Sequence, residues 1–200
     1  MRSRSPTPQS LYASDGRRKY LTPAERRAFI RRAEGLEEPA LATLCLVLAH
    51  CGCRLSEALA LRAVALHADD GIIAVRSLKK RGVLAVRQVP VPSGLIERLC
   101  RVHGEAFASG GTLWTWSRCR AWKLVKTTMI DAGVTAGPHQ TARGLRHAFG
   151  VHAVRCGVPL NMIQRWLGHA SLATTAIYTQ AVGPEERELA ARMWTLESDH

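Results

Sequence analysis

The sequence predicts a mainly helical α+β domain with a small antiparallel sheet. Three patterns carry that reading: capped apolar stretches with helical spacing, one pair of Val- and Ile-rich stretches flanking a short basic turn, and Gly or Gly-Pro breaks throughout the remainder.

Residues 1–19 are rich in Arg, Ser and Pro and poor in large apolar groups, so they read as a basic flexible tail. Residues 20–200 read as the folded domain. It opens at Thr22-Pro23-Ala24-Glu25, where Thr22 is the N-cap, Pro23 takes the first helical position and Glu25 completes a capping box; the helix runs to about Ala33. A strongly apolar helix follows from about Pro39 to Cys51, and after Gly52 the stretch Arg54-Leu55-Ser56-Glu57-Ala58-Leu59 starts another. Residues 71–77 and 83–91 form a predicted hairpin around the turn Lys79-Lys80-Arg81-Gly82, ended by Pro90 and Pro92. From Ser93 the pattern is helical, broken at Gly110-Gly111, Gly133, Gly137-Pro138, Gly157-Val158-Pro159 and Gly168. A last helix starts at Pro184, with Leu189, Met193 and Trp194 on one face that needs a partner surface.

Two hundred residues with 46% hydrophobic content can build one core without disulfides. The six cysteines show no C-x2-C pair and no secretory signal precedes them, so they read as reduced, buried thiols in a cytosolic protein. His50, Cys51 and Cys53 come nearest to a metal pattern, but helix neighbours one and two apart face different sides, so no metal is expected. No apolar stretch approaches the ~20 residues of a membrane span. Lys and Arg number 28 against 16 acidic residues, a formal charge of +12, which favours a polyanionic partner such as nucleic acid.

The chemistry concentrates between residues 143 and 178: Arg143-Gly-Leu-Arg146-His147-Ala-Phe149, Leu167-Gly168-His169, and Thr174-Thr175-Ala-Ile-Tyr178, joined by Arg54 in Arg54-Leu-Ser56-Glu57. Attack of a hydroxyl on a phosphodiester builds negative charge on the non-bridging oxygens, and fixed cationic donors aimed there lower the barrier. Arg54 and Arg146 suit that task because a guanidinium stays charged and presents a planar fork to two oxygens. A phenol of ordinary pKa about 10 needs a positive surround to act as nucleophile, and it exchanges one phosphodiester for another without ATP or a metal.

Together these segments resemble the catalytic domain of the tyrosine recombinase, or phage integrase, family over about residues 20–198. The resemblance rests on four short motifs in the same order, with the tyrosine nine residues after the histidine of L-G-H. It implies a helical DNA breaking-rejoining domain that cleaves and rejoins DNA at specific sites through a 3′-phosphotyrosyl intermediate, with Tyr178 as nucleophile. By the same resemblance His169 donates to the scissile phosphate, and Lys79 or its neighbour Lys80 in the hairpin turn protonates the departing 5′ oxygen. Arg143 stands where the family has a histidine, and either it or His139 fills that role; His147 reads as structural. Lys80, Arg81, Arg118, Arg120, Lys123 and Lys126 are candidate DNA contacts, although the Trp114–Lys126 stretch reads equally as a core face with a solvated basic side.

Double-stranded DNA is the expected partner, with self-association up to a tetramer on it, no cofactor, no membrane and no small-molecule substrate. The expected setting is the cytoplasm, on the nucleoid, in a bacterial or mobile-element-encoded protein. The 19-residue tail is too short for the helical clamp that most relatives carry ahead of the catalytic domain. A type IB topoisomerase-like relaxing activity, a non-catalytic DNA-binding regulator and a small RNA-binding protein are the alternatives.

Overall fold

A computed structural model of the chain describes residues 10–78 and 84–181. Its helices are α1 (Pro23–Glu34), α2 (Pro39–Cys51), α3 (Leu55–Leu59), α4 (Ser93–Val102), α5 (Gly104–Ser109), α6 (Arg118–Asp131), α7 (Ala142–Arg155), α8 (Leu160–Leu167) and α9 (Leu172–Ala176), the last running into a 3-10 turn at Ile177–Ala181. The expected capping box is present. Thr22 Oγ1 accepts the Glu25 amide at 3.2 Å while Glu25 Oε2 accepts the Thr22 amide at 2.8 Å.

α2 is apolar on every side, so it has no face for solvent and becomes the axis of the core. α1, α4 and α7 pack around it. A second, smaller cluster gathers Leu11, Phe149, Ile163, Leu167, Ile177 and Tyr178 on the other side of α7. Gly52 closes α2 at the seam between the clusters: its φ is 60°, and a Cβ there would lie 2.6 Å from Phe149 Cδ1. Both the left-handed turn and the close approach require glycine.

The predicted hairpin is β2 (Ile72–Leu78) and β3 (Leu84–Pro90), antiparallel from Ile72↔Pro90 to Leu78↔Leu84. A two-residue strand, β1 (Leu66–His67), joins the edge of β2, giving the order β1-β2-β3. Two residues are too few to show strand alternation, and the sequence pattern missed it. The fold class holds, a mainly helical domain with one small antiparallel sheet. The turn residues Lys79, Lys80 and Arg81, the segment 1–9 and the helix expected from Pro184 lie outside the described residues.

Two expectations change. Residues 10–19 are folded rather than a tail: Tyr12 and Arg18 pair as an antiparallel bridge around a turn at Ala13–Gly16, and Leu11 is fully buried in the second cluster. Arg18 fixes this small strap by a bidentate pair to Glu25, at 2.6 and 2.7 Å, and a bond to Thr135 Oγ1 at 3.1 Å. Composition misled because one leucine and one paired arginine suffice to anchor ten otherwise polar residues. Cys45, Cys51 and Cys53 are buried as expected, but Cys119 and Cys156 are exposed. Cys119 precedes the buried Ala121 of α6 by two residues, which turns it to the opposite side of the helix. Among the described residues no helix is long and apolar enough to cross a membrane, and no three His, Cys, Asp or Glu side chains gather as a metal site would require.

If the strap is part of the fold, Leu11→Ala removes a fully buried side chain and lowers unfolding free energy by ~2–5 kcal/mol. Urea unfolding measures this; wild-type stability in the variant would return residues 10–19 to the status of a tail.

Candidate active site

Arg54 is the N-cap of α3, placed by the turn after Gly52. Its side chain is about half exposed, and Glu57 one turn later accepts both its backbone amide at 2.8 Å and its Nη1 at 2.7 Å. Arg146 points inward from α7 and is 6% exposed. Its Nη1 donates to the carbonyl of Gly52 at 2.9 Å and its Nη2 to that of Leu167 at 2.6 Å. Burial lowers its pKa to about 10, with Arg54 pushing the same way and Tyr178 and Glu57 opposing, so it remains a cation at neutral pH.

His169 follows the left-handed Gly168 that ends α8. Its Nδ1 lies 2.9 Å from Thr175 Oγ1. Burial, then the charges of Arg146 and Arg54, hold its pKa down to about 3, so the ring is neutral and carries one proton. A Thr175 hydroxyl that donates to Nδ1 leaves that proton on Nε2, the arrangement a hydrogen-bond donor to phosphate requires.

Tyr178 lies in the 3-10 turn and is fully buried. Its ring stacks on His169, with centroids 6.1 Å apart and planes 19° apart, and its Oη sits 3.3 Å from His147 Nδ1. Gly150 makes room for it, since a Cβ there would come within 2.5 Å of the phenol ring. Burial raises the phenol pKa, outweighing the opposing pull of Arg146, Arg143 and Arg54. The positive surround expected from the sequence is present, but in this resting geometry desolvation dominates. His147, expected to be structural, is buried as such a residue should be and also partners the candidate nucleophile; its pKa is lowered to about 4 by burial first and then by Arg143.

Thus Arg54, Arg146, His169 and Tyr178 come from four separate elements to one place. Arg143 is exposed on α7 one turn before Arg146, and its charge acts on Tyr178 and His147. His139, the alternative to it, is engaged elsewhere: its Nε2 lies 3.3 Å from Thr135 Oγ1 and 3.6 Å from Glu25 Oε1, beside the Arg18 strap. On α6, Arg118, Arg120 and Lys123 are exposed and Lys126 is half-buried. Trp114 is core, its indole N–H donating to Ala40 O at 2.8 Å, whereas Trp122 is 40% exposed under the Lys126 ammonium, 5.1 Å from the ring centre. With Ala121, Val125 and Met129 buried, α6 has both a core side and a basic aromatic side.

Sequence reasoning assigned no role to Glu57, Arg87 or Thr175. Arg87 is 7% exposed on β3, where Nη2 and Nη1 reach Glu57 at 2.5 and 3.3 Å and Nε donates to Trp166 O at 2.7 Å. Its signal was an arginine on the inward row of a strand, level with Val89.

Residues 19–183 match the Phage integrase family. The chain is 30% identical over 156 residues to tyrosine recombinase XerA of Pyrococcus furiosus, covering 74% of this chain and 52% of that protein. It is 32% identical over 145 residues to tyrosine recombinase XerD of Chlorobaculum tepidum, covering 64% and 44% respectively. The fold is similar to the crystal structure of XerA recombinase, with a TM-score of 0.73 and 25% identity over 87% of this chain and 64% of that one. It is also similar in fold to XerH site-specific recombinase bound to its palindromic difH substrate after cleavage, with a TM-score of 0.72 and 22% identity over 88% and 53%. The chain spans about half the length of the curated relatives it matches.

The neutral buried histidines set a pH dependence. His50, His147 and His169 have folded pKa values of about 4, 4 and 3 against an ordinary 6.5, so the unfolded chain binds more protons below pH 6.5. Their contribution to stability is complete above about pH 6.5 and is lost as the pH falls towards 4. The melting temperature should decline across that window, and His50→Gln should flatten part of the decline. A melting temperature unchanged from pH 6.5 to 4 contradicts neutral burial of these rings.

Proposed function

The chain belongs to the phage integrase family, and from that premise we propose that it cleaves and rejoins double-stranded DNA at specific sites, with Tyr178 as nucleophile. The observation that supports this most is the convergence of Arg54, Arg146 and the segment that holds His169 and Tyr178, three stretches well separated in the chain, within electrostatic reach of one another.

The guanidinium of Arg54 and the remaining N–H groups of Arg146 take the non-bridging oxygens of the scissile phosphate, and neutral His169 adds a third donor. As charge grows on those oxygens the fixed cations stabilise it without reorganisation. The Tyr178 phenol releases its proton to solvent as its oxygen forms the bond to phosphorus, the bond to the 5′ oxygen breaks, and Lys79 or Lys80 gives that oxygen a proton. The product is a 3′-phosphotyrosyl linkage and a free 5′ hydroxyl, which reverses the reaction by attacking the linkage on another strand. Arg118, Arg120, Lys123 and Lys126 on α6, with Arg81 of the hairpin turn, hold flanking phosphates. Copies assemble on DNA, up to a tetramer, with the segment from Pro184 lying across a neighbour.

Nicked duplexes built from inverted repeats in the DNA flanking the gene test the reading. Wild type should leave an SDS-resistant protein–DNA adduct, and Tyr178→Phe should leave none while binding DNA as before. An adduct in the variant puts the nucleophile elsewhere.

Arg143 donates to the phosphate from the position where the family carries histidine. Arg143→Ala should slow cleavage by on the order of 10²–10³-fold, the usual effect of removing one donor to a developing oxyanion. Arg143→His should recover part of the rate and add a pH dependence near 6–7 that wild type lacks. Full activity in Arg143→Ala together with failure of His139→Ala assigns the role to His139 instead.

A further inference from the structure

We propose that Arg87 is a positioning residue of the strand-transfer site, one that sets Arg54, the His169 turn and the basic hairpin against each other. The proposal rests on the DNA-cleaving reading above.

Arg87 lies on the inward row of β3, between a strand pair and the helical body, and pairs with Val75 of β2. Its guanidinium is shared out in two directions. Towards α3 it holds the carboxylate of Glu57, which in turn holds the amide and guanidinium of Arg54. Towards α8 its Nε donates to the carbonyl of Trp166, three residues before His169. The turn lies directly on it: a Cβ at Gly168 would stand 3.1 Å from Arg87 Cδ and 3.2 Å from Nη1. Arg87 also walls an open cleft of about 320 Å³ between sheet and helix, with Ser77, Gln164, Arg165 and His169 among its neighbours. The lysines assigned to protonate the leaving oxygen fall in the sequence between β2 and this strand, outside the described residues.

Stability alone does not account for such a pair, because burying two opposite charges costs desolvation that an apolar pair of similar size avoids. What the pair supplies is geometry. A planar fork reaches a carboxylate and a carbonyl at once, whereas a lysine offers one nitrogen and satisfies one of them. Loss of the fork lets Arg54 and the His169 turn drift relative to the hairpin, and a misplacement of about 1 Å in a catalytic constellation slows a reaction by ~10²-fold.

Arg87→Lys and Arg87→Gln in the full chain are the primary test, read by single-turnover adduct formation on the same nicked duplexes, DNA affinity and thermal melting. Cleavage should fall about 10²-fold while affinity stays within about threefold. In an Arg54→Ala background the further loss from Arg87→Gln should be clearly smaller than in wild type, because the part that acts through Arg54 is already gone and only the part that acts through the His169 turn remains. If the single variants do not melt cooperatively, Arg87→Met with Glu57→Leu removes both buried charges, and this folded pair should be as slow. Wild-type cleavage in any folded Arg87 variant, or a full 10²-fold further loss in the Arg54→Ala background, overturns the proposal. A wild-type chain that forms no adduct overturns the DNA-cleaving reading first, and this proposal with it.

Discussion

Arg146 is almost completely removed from solvent and still has to remain charged, and the groups that meet its Nη atoms are carbonyls at the C-terminal ends of two helices, Gly52 after α2 and Leu167 in the last turn of α8. The final carbonyls of a helix have no partner of their own and carry the negative end of its dipole, so they are a natural seat for a cation. The rest of the site follows from that seat. Both helices must stop there, and both do so at glycines in the left-handed region, Gly52 and Gly168. The residues immediately after those stops are Cys53-Arg54 and His169, so the same two chain reversals that hold the buried arginine deliver a second arginine and a histidine beside it. α7 carries Arg146 between them and, one turn on, the Gly150 that accepts the tyrosine ring.

Tyr178 is held inside the second apolar cluster. For the nucleophile role proposed for it, the 3-10 turn carrying the fully buried phenol has to move before the oxygen can reach a DNA phosphate. That turn is well placed to yield, since 3-10 hydrogen bonds are poorly aligned and α9 ahead of it has only five residues. Opposing the motion is His147. Its Nε2 is buried with no partner among the described residues, and departure of Tyr178 strips Nδ1 as well. Leaving a buried polar group unsatisfied costs about 1–3 kcal/mol, a penalty that favours the buried position of the phenol.

Most of this was legible in the sequence where a local rule governs the outcome. The capping box at Thr22, the apolar α2, the hairpin and the glycine stops each depend on residues within a few positions of one another. The family was legible through the spacing of the motifs that hold Arg54, Arg146, His169 and Tyr178, and the match over residues 19–183 supports that resemblance. What escaped depends on contacts made at a distance. Leu11 reads as one apolar residue in a polar stretch until Ile163 and Tyr178 are placed around it, and Arg87 reads as a charge on a hairpin until Glu57, thirty residues earlier, arrives opposite. The environment of His139 was equally invisible, because Glu25 lies over a hundred residues away in the chain. Alternation along β3 did mark Arg87 as inward, and a charge on an inward row is a signal that a partner must exist.

The electrostatics of the site carry one more consequence. Around it stand Arg54, Arg146 and Arg87, with Glu57 as the carboxylate between Arg54 and Arg87, and two histidines that are kept neutral by burial first and then by nearby arginines, Arg143 and Arg146 for His147, Arg146 and Arg54 for His169. A guanidinium does not lose its proton in any physiological range, and Glu57 is held ionised by hydrogen bonds from Arg87 and Arg54 against its burial. The charge of the site therefore holds from above about pH 4, where His147 takes up a proton, towards about 10, where Arg146 loses one. Within that range the histidines contribute directed hydrogen bonds rather than charge, and a Thr175 hydroxyl that donates to His169 Nδ1 leaves Nε2 as the donor. Burial raises the pKa of the Tyr178 phenol while Arg146, Arg143 and Arg54 favour its oxyanion, so the balance moves towards ionisation once the ring leaves the apolar cluster.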